Sequence, residues 1–268
     1  MAEPKVAKPA PYLSEIVGDA IRDATEKRLT DLVKEGPVPK HLAIIMDGNR
    51  RFARQQGLLV PDGHRKGRDT AEELLDWCLE VNIRILTIYA LSTENLQRAP
   101  EEVEALMALF DRSFRDIATD ERVHKHKIHV RAIGERSVLP ENVREAIYLA
   151  EKATESYSNY FFNIAIAYGG REEIVGAIRT LAQEVADGKL KPEEINAELV
   201  SKNLYTRDLP DPDLVFRTSG EERISNFLLW QSAYSELYFT DVLWPGLTKL
   251  DFLRALRAFQ LRQRRYGG

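Results

Sequence analysis

From residue 41 onward, short apolar runs alternate with longer amphipathic stretches, and nothing else in the chain constrains its fold as strongly. The runs at 42–46, 84–90, 127–133, 161–167, 212–217 and 236–240 have the length and composition of buried strands. Helical periodicity fills 64–81, 101–118, 140–156, 170–187 and 249–265, and a shorter helix is expected at 192–203. Strands separated by whole helices pair in parallel, because a parallel crossover needs a dozen or so residues. The fold class predicted is therefore α/β: a single domain with a central, mainly parallel six-stranded sheet flanked by helices. No internal repeat and no second linker is visible in the sequence.

Residues 1–38 are set apart as an N-terminal extension ahead of a main domain at 39–268. Leu13, Ile16, Val17, Ala20, Ile21 and Ala24 recur at helical spacing, and GPVPK at 36–40 ends that pattern. Glu15, Asp19 and Asp23 make the polar face acidic, which disfavours a membrane-surface helix. A helix packed on the main domain is expected.

Composition narrows the partners. Lys plus Arg is 38 against 42 Asp plus Glu, a net charge of −4, which argues against general nucleic-acid binding. A lone cysteine, Cys78, excludes an internal disulfide and a Cys-based metal cage. No apolar run approaches the ~20 residues of a membrane span. The first residues carry no secretory apolar segment, so a cytoplasmic location is expected.

In open α/β sheets, ligands bind beyond the carboxyl ends of the strands. After the first run come Asp47, Gly48, Asn49, Arg50, Arg51 and Phe52. Glycine there allows close backbone approach, a helix start favours an anion, and arginines suit phosphate oxygens. Asp47 cannot bind phosphate directly; it needs a bridging cation, and Mg²⁺ suits one carboxylate plus phosphate oxygens. His64 opens the next helix within GHRKG. The second run delivers Ser92, Thr93, Glu94, Asn95, Leu96 and Arg98, of which Ser92, Asn95 and Arg98 share a face at a spacing of three. Capping accounts for Ser92, Glu101 and Glu102. It does not account for Arg98, a cation ahead of a helix N-terminus, unless an anion is present. The fourth run ends in Tyr168-Gly169-Gly170-Arg171, whose plain reading is a tight turn with a surface Arg. The fifth is the densest: Arg217, Thr218, Ser219, Gly220, Arg223, Ile224 and Ser225. Glu236, flanked by aromatics at the start of the last run, needs a cation or an Arg as partner. No P-loop pattern and no zinc-type His spacing occurs. These residues imply a multiply phosphorylated ligand handled with Mg²⁺; they leave the reaction open.

Taken together, HLAIIMDGNRRFA, GHRKG, YALSTENLQR, NIAIAYGGREEI and DLVFRTSGEERISNFLLWQSAYSELYFTDVLWP resemble, in order, the cis-prenyltransferase family of undecaprenyl and dehydrodolichyl diphosphate synthases. The resemblance implies that residues 39–268 form a cis-prenyltransferase catalytic domain. Such an enzyme adds isopentenyl diphosphate units in cis to an allylic diphosphate, farnesyl or geranylgeranyl, and yields a long polyprenyl diphosphate for a carrier lipid. It implies that Asp47 and Glu236 place Mg²⁺, and that Gly48, Asn49, Arg50, Arg51 and His64 cradle the allylic diphosphate. Phe52 and Leu96 belong to the same segments. Ser92, Thr93, Glu94, Asn95 and Arg98 then line the reaction centre, with Asn95 orienting. Arg217, Arg223, Ile224 and Ser225 form the isopentenyl diphosphate site. It further implies a homodimer in which Arg265-Tyr266-Gly267 reaches the partner, and a peripheral membrane encounter for product release. Phe52, Leu96 and Val60 stand where many members have Trp, Trp and, in bacteria, Arg; the paired Arg50 and Arg51 look more archaeal or eukaryotic. The apolar tunnel such a product needs has candidates in Leu74, Leu75, Leu79, Leu106, Met107, Phe110, Ile88, Ala90 and Ile133, all equally readable as core. A non-catalytic partner subunit or a diphosphate-binding module is the competing reading.

Overall fold

The structure is a computed structural model that describes the backbone of residues 13–262 and the side chains of residues 21–262. Its strands are β1 (His41–Ile45), β2 (Ile85–Tyr89), β3 (Ile128–Ile133), β4 (Tyr160–Ala165), β5 (Leu214–Arg217) and β6 (Glu236–Phe239). They form one sheet in the order β3-β4-β2-β1-β5-β6, with every ladder parallel. β1 and β2 are buried at every position, which is why they read as unbroken apolar runs. Alternate residues feed two cores. Leu42, Ile44, Leu86 and Ile88 face a helical layer, while Ala43, Ile45, Tyr89 and Val215 meet Phe227 and Leu228 on the other side.

The helices are α1 (Leu13–Glu35), α2 (Asn49–Gln55), α3 (Val60–Glu80), α4 (Pro100–Ile117), α5 (Glu121–His126), α6 (Glu141–Thr154), α7 (Gly170–Ala186), α8 (Ala197–Lys202) and α9 (Lys249–Leu261). Buried faces of α3, α4, α6 and α9 supply the helical layer. Helix α5 has no counterpart among the expected helices, and three other places differ in detail. Helix α2 begins at the helix start expected after Gly48, although no periodicity marked its length: Gly48, at φ 113°, turns the chain after β1 and leads into it. Helix α3 starts at Val60, with Pro61 in its first turn, rather than at 64. The segment 192–203 is split into a 3-10 turn and α8.

Helix α1 packs on α9, with side-chain contacts from residues 26–33. Leu29 and Val33 meet the core, Gln260 donates to the Val33 carbonyl (2.8 Å), and Lys249 joins Glu26 (3.0 Å) to Glu80 (2.8 Å). Ile21, on the stripe expected to dock, is 63% exposed. The side chains of Leu13, Ile16, Val17 and Ala20 lie outside the described residues, as does Arg265-Tyr266-Gly267.

A polar row runs through the sheet. His41 is fully buried, and burial lowers its pKa to about 4 against the opposing effects of the Pro210 carbonyl and Asp213. The ring is therefore neutral at pH 7. A carbonyl can only accept, so Nδ1 donates to Pro210 (2.7 Å) and Nε2 accepts from Thr87 Oγ1 (2.8 Å). Asn163 then donates to Thr87 (3.0 Å). The row ties β1, β2 and β4 together beneath the strand ends.

Candidate active site

Because β1 sits between β2 on one side and β5 on the other, the chain's crossovers diverge there and leave a crevice at the carboxyl ends. The crevice is a cleft of about 770 Å³. Twelve residues singled out in the sequence line it: Asp47, Gly48, Asn49, Arg50, Arg51, His64, Ser92, Glu94, Asn95, Arg98, Arg217 and Ser225.

Its centre is an ion pair across two neighbouring strand ends. Arg217, 4% exposed at the tip of β5, donates from Nη2 to Asp47 Oδ2 (2.8 Å) and from Nη1 to Ser225 Oγ (2.7 Å) and the Arg223 carbonyl. A guanidinium so buried needs its charge paired, and Asp47 does this. Thr218 fixes the turn after β1 by accepting from the Asp47 amide (3.0 Å) and donating to its carbonyl (2.7 Å). Arg51, one turn along α2, donates to Ser219 Oγ (2.5 Å) and faces Asp47 Oδ1 at 3.9 Å.

Ser225 is delivered by an unusual loop. Ser219, Ser225, Asn226 and Leu228 all have left-handed backbone angles, which cost non-glycine residues about 1–2 kcal/mol each. The start of α7 holds the loop there. The Gly170 amide donates to the Asn226 carbonyl (2.7 Å) and the Arg171 amide to Asn226 Oδ1 (2.9 Å). A Cβ on Gly170 would meet that carbonyl at 3.0 Å and Leu229 at 2.9 Å. The paired glycines are thus more than a tight turn: they admit the neighbouring loop.

A second cluster faces the first across the cleft. Glu102, in the first turn of α4, accepts from Arg98 Nη1 (2.9 Å), lies 3.7 Å from Arg50 Nε and 3.3 Å from His64 Nε2. Arg98 sits before a helix N-terminus because the chain supplies its own anion four residues on. Burial lowers the His64 pKa; Glu102 works against this, while Arg98 and Arg50 add to it. The imidazole is therefore neutral at pH 7 and donates from Nε2 to the carboxylate. Glu102 was read from the sequence as a capping residue, and its spacing of four from Arg98 is the signal that could have marked it.

Asn95 and Ser92 bond reciprocally, the Ser92 amide to Asn95 Oδ1 and the Asn95 amide to Ser92 Oγ, both at 3.2 Å. The spacing of three holds because residues 94–97 form a 3-10 turn. Asn49 is seated by α3. A Cβ on Gly63 would meet the Asn49 carbonyl at 2.5 Å, and one on Gly67 would collide with Asn49 Oδ1. The two glycines of GHRKG, one helical turn apart, let α2 lie against α3.

Six of the residues singled out do not line the cleft. Phe52 lies towards Gly246. Thr93 donates to Glu94 (3.3 Å). Leu96 and Ile224 pack against the two cores. The Arg223 guanidinium, 62% exposed, pairs with Glu221, and only its carbonyl reaches Arg217. Within one copy of the chain, Glu236 does not meet Asp47 as a two-carboxylate metal site would need. It pairs in register with Leu214, and Leu214 with Leu42, at the opposite end of the sheet from Asp47. Five residues along the chain, roughly 16 Å of rise if extended, and the intervening β5 separate the two positions. Glu236 bonds instead to Arg262 (2.9 Å).

Behind the polar cleft lies an apolar tunnel of about 200 Å³ between α3, α4 and the sheet. The two share Met46, Asn49, His64, Ala90 and Leu106. Of the tunnel candidates, Leu75, Ile88, Ala90, Leu106 and Phe110 line it; Leu74, Leu79, Met107 and Ile133 do not.

A cleft with paired arginines, opening onto an apolar tunnel, fits a ligand with an anionic head and a hydrocarbon tail. Known proteins of this form agree. The family profile described as "Putative undecaprenyl diphosphate synthase" matches residues 45–267. The chain is 52% identical over 255 residues to a tritrans,polycis-undecaprenyl-diphosphate synthase (geranylgeranyl-diphosphate specific) of Thermoplasma acidophilum, covering 95% of this chain and 99% of that one. The enzyme of the same name from Thermococcus kodakarensis is 54% identical, with 96% and 97% covered. Among solved structures, a lavandulyl diphosphate synthase from Lavandula x intermedia, in complex with dimethylallyl diphosphate, superposes with a TM-score of 0.83 at 38% identity, covering 86% of this chain and 99% of that one. A probable undecaprenyl diphosphate synthase from Campylobacter jejuni gives 0.70 at 37%, covering 87% and all of that chain. With this likeness running through the sheet, the cleft and the tunnel alike, the chain belongs to the undecaprenyl diphosphate synthase family of prenyltransferases.

Proposed function

We propose that the chain is a cis-prenyltransferase that condenses isopentenyl diphosphate units onto geranylgeranyl diphosphate to give a long polyprenyl diphosphate. The observation that carries this reading is the junction of cleft and tunnel: cationic side chains at the strand ends meet apolar ones at Met46, Ala90 and Leu106. A diphosphate seated on the arginines points its hydrocarbon inward.

The residues divide the work. Arg50, Arg51, His64 and the turn at Gly48–Asn49 receive the allylic diphosphate. Arg217 and Ser225, held by the left-handed loop, receive the diphosphate of isopentenyl diphosphate. Asn95, fixed by Ser92, orients the reacting alkene; a neutral amide is a poor base, and a diphosphate oxygen takes the proton. Among the described residues no group of three or more His, Cys or acidic side chains forms a metal cage. Asp47 is a single carboxylate whose Oδ2 takes Arg217 at 2.8 Å and whose Oδ1 faces Arg51 at 3.9 Å, which fits Mg²⁺ shared with phosphate oxygens and waters. Bound there, Mg²⁺ neutralises charge on the departing diphosphate. In this reading the enzyme is a homodimer, and a metal role for Glu236 requires a second copy. No helix among the described residues is long and apolar enough to cross a membrane. In this reading the apolar product is handed to lipid in a peripheral encounter.

The test is incorporation of labelled isopentenyl diphosphate into organic-extractable product, with and without Mg²⁺. Asp47→Asn should lose turnover by about 10²- to 10³-fold, and because it also leaves buried Arg217 without its paired charge, its fold is checked by circular dichroism alongside. A wild-type protein that binds both diphosphates and forms no product would instead support the binding-module reading.

A further inference from the structure

Glu173 is a buried carboxylate that the reaction proposed above leaves without a task. It lies in the first turn of α7 and is 3% exposed. A charge so buried needs partners, and its partners among the described residues are all neutral. Oε2 accepts from Tyr168 Oη (2.5 Å) and from Gln231 Nε2 (3.1 Å). Oε1 accepts from the Tyr205 amide (2.7 Å) and, at 3.3 Å, from the same Gln231 nitrogen. Three donors converge and no acceptor does, a pattern that suits a carboxylate and not an amide. The positive end of α7 supports the charge. Gln231, itself buried, also donates to Thr206 Oγ1 (3.0 Å), while its own Oε1 has no partner, so its donors alone hold it in place.

Two of the three donors lead to the cleft by different routes. The Tyr168 amide donates to the Leu91 carbonyl (3.1 Å), and the Tyr168 carbonyl accepts from the Thr93 amide and from Tyr89 Oη, both at 3.1 Å. Tyr168 thereby fixes the turn in which Ser92 and Asn95 bond each other. Gln231 closes the segment that begins at Ser225. Between the two, Phe227 is fully buried, stacked on Tyr89 at 4.6 Å and edge-on to Tyr168 at 6.1 Å. We propose that Glu173 is a positioning residue for isopentenyl diphosphate: by tying Tyr168 to Gln231 it sets the separation between Asn95, which orients the alkene, and Ser225, which with Arg217 holds the diphosphate. This role rests on the reaction proposed above, in which the two contacts grip opposite ends of one small substrate. One molecule satisfies both only if their spacing is fixed, and a bonded, buried polar network fixes it. The left-handed angles at Ser225, Asn226 and Leu228 add to the need, because such a segment persists only while its surroundings hold it. The allylic site is built on α2 and α3, which none of Glu173's bonds touches.

Glu173→Gln and Gln231→Met would be compared with wild type and with His41→Gln, a destabilising change away from the cleft. Glu173→Gln keeps the size and turns an NH₂ group onto one of the donors. Gln231→Met cuts the route to Ser225 and leaves Glu173 its bonds to Tyr168 and Tyr205. Urea unfolding gives stability, steady-state turnover gives kcat and the KM for isopentenyl diphosphate, and equilibrium dialysis with labelled geranylgeranyl diphosphate gives the allylic Kd. Both Glu173→Gln and Gln231→Met should raise the KM for isopentenyl diphosphate at least about fivefold and lower kcat by a similar factor, with the allylic Kd within about twofold of wild type. Because the two residues act through one contact, the double variant should lose no more than about twofold beyond the worse single one. His41→Gln should be less stable and keep all three constants. All three constants at wild-type values in both Glu173→Gln and Gln231→Met would overturn the role. So would a rise in KM and allylic Kd together, the mark of general loosening. If Glu173→Gln does not fold, Gln231→Met decides by the same criteria. A wild-type protein that forms no polyprenol fails the proposed function instead; dialysis with labelled isopentenyl diphosphate then reads the positioning role separately, as weaker binding in Gln231→Met or as none.

Discussion

Arg217 divides one buried guanidinium between Asp47 and Ser225, so a change of shape there costs more than a change of charge. Arg217→Lys keeps the cation and loses the fork. A drop of about 10- to 100-fold in kcat/KM for isopentenyl diphosphate is expected, equivalent to roughly 1.5–3 kcal/mol; steady-state kinetics within twofold of wild type would contradict the role. Side-chain identity at the strand ends was largely legible in the sequence, since Asp47, Arg51, Asn95, Arg217 and Ser225 stood out by type and place. Side-chain direction was not. Arg223 and Glu236 carry the right chemistry, yet one turns to Glu221 and the other lies at the wrong end of its strand. Glu102 shows the converse. A helix-capping glutamate and a buried partner for Arg50, Arg98 and His64 look identical until α3 and α4 are brought together.

At the scale of elements, all six strands were readable: β1, β2 and β5 are buried at every position, β3 and β4 at most, and the half-buried β6 still carries Leu237, Tyr238 and Phe239 in a row. The start of helix α2 was readable from Gly48, but its length was not, because seven residues rich in arginine show too little periodicity. What seats it is Gly63 and Gly67. Gly67→Ala would press on Asn49 and on Trp244 Cδ1, 3.0 Å from the new Cβ. Overpacking of this kind costs about 1–3 kcal/mol, and displaced Asn49 should also raise the allylic KM; chemical denaturation and kinetics would read both. The polar row predicts a pH dependence. The folded pKa of His41 is about 4 and its unfolded value 6.5. The unfolded chain binds the extra proton between these values, so stability falls as pH drops from 6.5 towards 4 and is flat in this respect above. The loss at the acid end is of the order of 3 kcal/mol. Urea unfolding at pH 7 and pH 5 should show it, and His41→Gln should flatten the difference despite being less stable throughout.

The whole molecule joins a polar head site to an apolar tail site across Met46, Ala90 and Leu106, and neither half alone specifies a prenyl elongation. The sequence carried both halves as separate clusters. Their meeting depends on β1 and β2 ending side by side, which follows from the strand order and from no single residue. Helix α1 adds to this body through Leu29 and Val33, with Gln260 of α9 bonded to the Val33 carbonyl. The most direct measurement of the joined site is a starter comparison. Purified protein would be supplied with Mg²⁺, labelled isopentenyl diphosphate and either geranylgeranyl or farnesyl diphosphate. Product length would be read by chromatography and double-bond geometry by NMR. The account predicts long chains whose added units are cis, formed faster from geranylgeranyl diphosphate. Chains of trans units, or no extension from either starter by protein that binds both diphosphates, would contradict it.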